Sequence, residues 1–296
     1  MPKSNLRVVF YELLKSEVFK AKNLATKKEG LCSVSFYSTT GEIDEAVKRA
    51  SPNNGDYDNI IVRDGERLVG FIRREQLENK NDILSLLRSR TIKFDRYTFS
   101  AEDGLKEVVE RIYTDFKRTG YGSAYLIKNK TEDLGVITYA DLNRKSVYIY
   151  NYIIILFLEQ WIKNIISQKY RTKSKKINDN WMRSLRTKQS AKLIDLSREK
   201  GESTLGVAGI DDLVMVFKHE PSLQNIRSQY KDSIPNETLS DIISVRPKVM
   251  HPTKLLVPKN NIKNGLKRLM RILRLVDDFI QYEDSNEKNR GWPTVR

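Results

Sequence analysis

Cysteine and histidine are almost missing from this 296-residue chain: one cysteine, Cys32, and two histidines, His219 and His251. A single cysteine excludes a disulfide scaffold and a cysteine-ligated zinc site. Two histidines leave little material for a histidine metal cluster. A long hydrophobic run is lacking too. The most apolar stretch, Val147–Leu158, is closed by Glu159 and Gln160, short of the ~18–20 residues a membrane span needs, so it reads as a buried helix. The N-terminal Met-Pro-Lys-Ser-Asn-Leu-Arg has no apolar core ending in small residues, and no secretory signal is expected. There is no P-loop, and no motif supports Ser/His/Asp or Cys/His catalysis. A cytoplasmic soluble protein without a membrane partner is the expectation.

What is present is a core and a charge. Hydrophobic residues make up 39% of the chain, enough to bury a core and too many for full disorder. Lys and Arg number 53 against 38 Asp and Glu, a formal net charge of +15, which favours a polyanionic partner: nucleic acid, nucleotide phosphates or an anionic surface. The excess is uneven. Residues 1–145 carry a net +4 and residues 146–296 a net +11. The richest block, Lys163–Lys200, holds 12 basic and 3 acidic residues and is a candidate contact for RNA as well as an ordinary solvated face.

The first half repeats itself. Asp58–Leu77 and Ser123–Leu142 each read as an apolar strand, a polar turn and a second strand with a glycine, and Gly70 and Gly135 lie 65 residues apart. An amphipathic helix precedes each unit. Glu42–Ala50 sets Ile43, Ala46, Val47 and Ala50 on one face, and Ala101–Phe116 does the same with Leu105, Val108, Val109 and Ile112. A further amphipathic helix, Leu6–Phe19, would brace the module.

At the end of the second repeat stands Gly135-Val-Ile-Thr138-Tyr-Ala-Asp141-Leu142. This resembles the Gly-apolar-x-Thr/Ser-x-x-Asp signature of CBS domains, so the first half is similar to a tandem CBS pair, a Bateman module of β-α-β-β-α repeats. The resemblance implies a regulatory adenine nucleotide (AMP, ADP, ATP or a related adenylate) and no required cofactor. Thr138 would hold phosphate near a helix N-terminus, and Asp141 would accept the ribose hydroxyls. Ser123 and Thr98 are further candidates for the nucleotide site. The first repeat departs from the signature, with Arg73 in place of the threonine and Gln76 in place of the aspartate. The ribose carboxylate is lost there, while Arg73 and Arg74 remain able to hold a phosphate.

After Asn143 the pattern turns helical. Helices are expected over Val147–Ile166, Trp181–Arg198, Gly209–Lys218, Glu237–Val245 and Asn260–Tyr282; the last sets Leu266, Leu269, Met270, Leu273, Val276 and Ile280 at helical spacing. Between the final two lies Ser244-Val-Arg246-Pro-Lys-Val-Met-His251-Pro-Thr. This resembles the Arg-x4-His motif of HEPN domains, helical bundles that often act as metal-independent ribonucleases. The resemblance implies His251 as general acid or base, Arg246 as phosphate stabiliser, and a homodimer through the helical half, since each chain supplies one motif histidine. Pro247 stands where such nucleases carry a polar residue. Asp211-Asp212 and Asp277-Asp278 read as surface or cap residues rather than metal ligands, His219 as a helix-end dipole partner, and Trp161 and Trp181 as core.

The expected organisation is therefore α+β: an N-terminal helix in 1–30, a tandem CBS module in 31–145, and an all-α HEPN-like bundle in 146–296. The expected function is an adenine-nucleotide-regulated, metal-independent endoribonuclease or RNA-binding effector acting as a homodimer. The alternative is a non-catalytic nucleotide-sensing regulatory or dimerisation protein.

Overall fold

The 65-residue repeat is built as two copies of one strand–helix–strand–strand unit. A computed structural model of the chain describes residues 12–13, 16–50, 58–78, 83–172, 176–228, 236–251 and 254–275. The chain divides into two compact units, one running to Val147 and including Leu256–Lys267, the other holding Tyr148–Leu255 and the residues from Arg268 onward.

In the first unit the elements run β1 (Thr26–Lys27), β2 (Ser33–Ser35), α1 (Thr40–Ala50), β3 (Asn59–Asp64), β4 (Arg67–Arg73), α2 (Ile83–Arg90), β5 (Ile92–Lys93), β6 (Thr98–Ser100), α3 (Leu105–Thr119), β7 (Tyr125–Lys128) and β8 (Asp133–Ile137). Among the described residues the strands form two four-stranded sheets, ordered β2-β3-β4-β5 and β1-β8-β7-β6. Within each repeat the first strand pairs parallel with the second, and the second antiparallel with the third. The fourth strand is exchanged. β5, which leads into the second repeat, closes the first sheet, and β1, which leads into the first, closes the second.

This exchange explains the repeated glycine. Gly70 faces β5 and Gly135 faces β1. A Cβ at Gly70 would collide with the carbonyl oxygen of Ile92, and one at Gly135 with that of Thr26. Only a residue without a side chain lets the fourth strand approach its neighbour.

The strands are apolar on both faces because both are covered. Ile60, Val62 and Ile72 pack with Ile43, Ala46 and Ala50 of α1 and Leu87 of α2. Ile61, Leu68 and Phe71 pack instead with Ala124, Leu126 and Val136 of the other repeat. Each fully buried side chain of this size contributes ~1.5–3 kcal/mol. The expected helix over Ala101–Phe116 begins later, at Leu105, because Ser100 N–H donates to Asp103 Oδ2 (2.9 Å) and the chain turns before the helix opens. The helix expected over Leu6–Phe19 falls mostly outside the described residues, and its described end, Glu17–Phe19, is a 3-10 turn.

The described part of the second unit is helical apart from an isolated bridge between Arg171 and Ile177. It contains α4 (Lys145–Tyr170, which opens on the last residues of the first unit), α5 (Thr187–Lys200), α6 (Ile210–His219), α7 (Pro221–Ser228) and α8 (Asn236–Met250), with α9 described over 262–275. No helix among the described residues is long and apolar enough to cross a membrane.

Two expectations are corrected. The helix read over Trp181–Arg198 is two elements, a 3-10 helix Asp179–Ser184 and α5, parted by extended backbone at Leu185 and Arg186. Trp181 is fully buried and donates to Thr204 (3.3 Å), whereas α5 buries little beyond Leu193; one straight helix would have to present both residues on its own geometry. The Arg246 motif is not a connection between helices. α8 continues through Arg246 and Pro247 to Met250, and His251 N–H still bonds the Pro247 carbonyl at 3.0 Å. Leu239, Ile242, Val245 and Val249 form a buried stripe along α8, and that packing carries the helix past a proline whose missing donor would otherwise end it. The part of the last expected helix beyond residue 275 lies outside the described residues.

Candidate functional site

The first repeat ends at a cleft. Asp58 immediately precedes β3, Arg73 closes β4, and Arg74 and Glu75 open the 3-10 turn that follows. From the second repeat come Phe116 and Gly120-Tyr121-Gly122. Gly120, in the left-handed region (φ 78°), ends α3 and turns the chain toward β7. The remaining wall is 259–263, and the cleft they enclose measures about 450 Å³. Its charged lining is Arg73, Arg74, Lys259 and Lys263 against Asp58 and Glu75.

Arg73, Arg74, Asp58, Glu75 and Lys259 are each held. The Arg73 guanidinium lies over the Tyr121 ring, 4.0 Å from its centroid, and donates to Glu75 at 2.8 Å. Its Nε is buried with no hydrogen-bond acceptor. Arg74 donates to the Ala50 carbonyl (3.0 Å) and pairs with Glu78 (3.1 Å). Asp58 accepts from the Tyr139 hydroxyl on one oxygen and meets Lys259 at 2.8 Å on the other. The cleft can therefore hold an anion on a guanidinium stacked against an aromatic ring, with two lysines on the facing wall.

At the corresponding corner of the second repeat the polar groups bond within the protein. Thr138 caps the 3-10 helix Tyr139–Asn143, its hydroxyl accepting from Ala140 N–H at 3.2 Å. Asp141 Oδ2 accepts from the Thr138 amide (2.8 Å) and hydroxyl (3.1 Å). Its Oδ1 accepts from Thr26 (3.0 Å) and from Arg144 Nε (2.8 Å). Asp141 is buried, and both its oxygens are engaged. Ser123 is buried next to the Tyr125 hydroxyl, which donates to Asp115 at 2.9 Å; burial, with Asp115 beside it, pushes that phenol's pKa above its ordinary value. Thr98 donates to the Phe94 carbonyl at 2.8 Å. Of the five expected nucleotide-site residues, Arg73 lines the cleft. Thr138, Asp141, Ser123 and Thr98 do not.

In the second unit, Arg246 NH1 donates to Asp211 Oδ2 at 2.9 Å, with Arg246 a little over one third exposed. His251 is exposed, just past the end of α8. Lys248, half-buried, has its pKa lowered, first by burial and then by Arg268 and Lys254. Asp212 caps α6 through Gly209 N–H (3.3 Å); burial raises its pKa, and Asp211 adds to the rise. Within the Lys163–Lys200 block, Lys163 pairs with Glu159 at 2.9 Å. Among the described residues no group of three or more His, Cys, Asp or Glu is placed to hold a metal.

No protein-family model matches the chain, and no curated protein matches it. Solved structures do. The chain is similar to a CBS-domain pair with bound AMP from Klebsiella pneumoniae (12% identity, 42% of this chain and 94% of that one, TM-score 0.31). It is similar to the CBS domain of a bacterial CNNM/CorC-family Mg2+ transporter in complex with ATP (11% identity, 48% and 94%, TM-score 0.34). A third is an uncharacterized conserved protein from Pyrococcus horikoshii (19% identity, 43% and 91%, TM-score 0.28). The first two are CBS-domain structures.

Of the cleft's lining, the sequence pointed to Arg73 and Arg74 and did not single out Asp58, Tyr121, Lys259 or Lys263 as site residues. Tyr121 carried a signal in its flanking glycines, Gly120 and Gly122, which read as a turn into a strand. Lys259 and Lys263 carried none, being two lysines in a chain with 53 basic residues.

Proposed function

We propose that the first unit is a CBS-pair-like sensor that binds an adenine nucleotide, and that the nucleotide sits in the Arg73 cleft. The observation that carries this reading is the cleft itself: about 450 Å³, lined by four cations and two carboxylates. A guanidinium stacked on an aromatic ring is a good phosphate partner because its planar fork is already oriented. The adenine base is what the CBS resemblance implies, and the nucleotide is a regulatory ligand in this reading. The Thr138–Asp141 corner is the weaker candidate, since a ribose there would have to displace Thr26 and Arg144 from a buried carboxylate. Calorimetric titration of AMP, ADP and ATP into the full chain tests the proposal. One of them binds, and Arg73→Ala weakens it about tenfold, the usual scale for losing a charged hydrogen bond. Absence of binding by all three sinks it.

A second reading concerns the helical unit: RNA cleavage without metal by a homodimer whose two Arg246–His251 pairs combine. The observation favouring it is an exposed histidine with Lys248 and Lys254 close by in sequence. Against it stands Arg246, already paired with Asp211. Incubation of RNA in chelator, with and without nucleotide, comparing wild type with Arg246→Ala and His251→Ala, decides it. Cleavage lost in both variants supports a nuclease, and its absence in wild type leaves a non-catalytic nucleotide-responsive protein.

A further inference from the structure

The cleft is closed by a piece of chain that does not come from either repeat. Leu256–Lys267 enters the first unit after α8 and leaves it within α9. It is seated firmly. Asn143 and Val257 exchange two hydrogen bonds, Asn143 Nδ2 to the Val257 carbonyl and Val257 N–H to Asn143 Oδ1, both 2.9 Å. Leu256 and Val257 are buried. Gly265 lies so near Val257 that an added Cβ would come within 2.9 Å of its Cα. Beyond this anchor, Lys259 reaches Asp58 at 2.8 Å, and 259–263 form the cleft wall.

We propose that Lys259 and Lys263 are ligand contacts of the cleft, and that the bound anion takes Lys259 from Asp58. This rests on the cleft reading above. In the ligand-free chain Asp58 neutralises Lys259. An incoming phosphate offers Lys259 a stronger partner, while Asp58 keeps the Tyr139 hydroxyl as its donor. Asp58 then acts as an internal competitor of the ligand, and occupancy is read by a segment whose two ends continue along the chain into the second unit.

The experiment is a double-mutant cycle on the full chain, titrating AMP, ADP and ATP into wild type, Lys259→Ala, Asp58→Asn and the double variant, with Lys263→Ala as an independent probe. Lys259→Ala weakens binding about tenfold and Asp58→Asn tightens it several-fold. The tightening largely disappears when Lys259 is also removed, because the two substitutions share one interaction. Lys259→Arg retains most of the affinity, which guards against a variant that merely unseats the wall. Hydrogen exchange across 256–267 slows on ligand binding in wild type and stays unchanged in Lys259→Ala. If Lys259→Ala and Lys263→Ala bind as tightly as wild type while Arg73→Ala does not, the inference fails and the cleft reading stands. If wild type binds none of the three nucleotides, the cleft reading fails and this one with it.

Discussion

The two repeats end on the same backbone frame and spend it differently. In the first, Arg73 N–H donates to the Gln76 side chain at 3.3 Å; in the second, Thr138 N–H donates to Asp141 at 2.8 Å. The positions are 65 residues apart in each case. The first repeat keeps the cap with a neutral amide and leaves its cation turned to a cleft. The second satisfies its carboxylate with Thr26, Arg144 and Thr138 and has no oxygen left over. The cleft lies at the repeat that departs from the familiar signature. In the repeat that matches it, the Thr138–Asp141 pair is hydrogen-bonded within the fold, as a buried carboxylate must be.

Five substitutions sharpen or break this contrast, in falling order of expected effect. Gly135→Val forces a side chain into the Thr26 carbonyl and destabilises by about 3 kcal/mol or more, with Gly70→Val close behind. Urea unfolding of both measures it, and a loss below about 1 kcal/mol in either would mean the exchanged strand is dispensable. Asp141→Ala removes the cap and the ion pair with Arg144, which keeps its bonds to Ala25 and Thr26, costing about 2 kcal/mol, with nucleotide affinity unchanged in the same preparation. Lost affinity at full stability would reopen that corner as the ligand site. Arg73→Ala does the reverse, lowering nucleotide affinity about tenfold while stability moves by less than about 1 kcal/mol. Gln76→Ala is the mildest, losing one capping bond and about 0.5–1 kcal/mol; a thermal melt matching Asp141→Ala would show that the neutral cap matters as much as the charged one.

Much of this was legible in the residues. The 65-residue spacing, the doubled strand pattern and the apolar faces of α1 and α3 all follow from side-chain periodicity, and Arg73 was reached because a repeat makes departures visible. The exchange of β1 and β5 was not legible. Those strands are two residues long, too short to carry a pattern, and their trace in the sequence is the pair of glycines they cross. The path of α8 through Pro247 was missed for a related reason. Local propensity ends a helix at proline, and the buried stripe Leu239–Val249 that overrides it is a property of packing.

By itself the sequence determined what periodicity and composition can encode: two similar strand-rich units, a helical remainder, a basic excess concentrated in that remainder, and no material for a disulfide or a cysteine metal site. The tertiary structure decided what the Asp141 carboxylate bonds, because that depends on Thr26 and Arg144 reaching it from 115 residues away and from one turn beyond. It also decided that Leu256–Lys267 belongs to the first unit and brings Lys259 to Asp58. A lysine's charge acts over a few ångströms of space, and its position along the chain does not say which carboxylate it will meet.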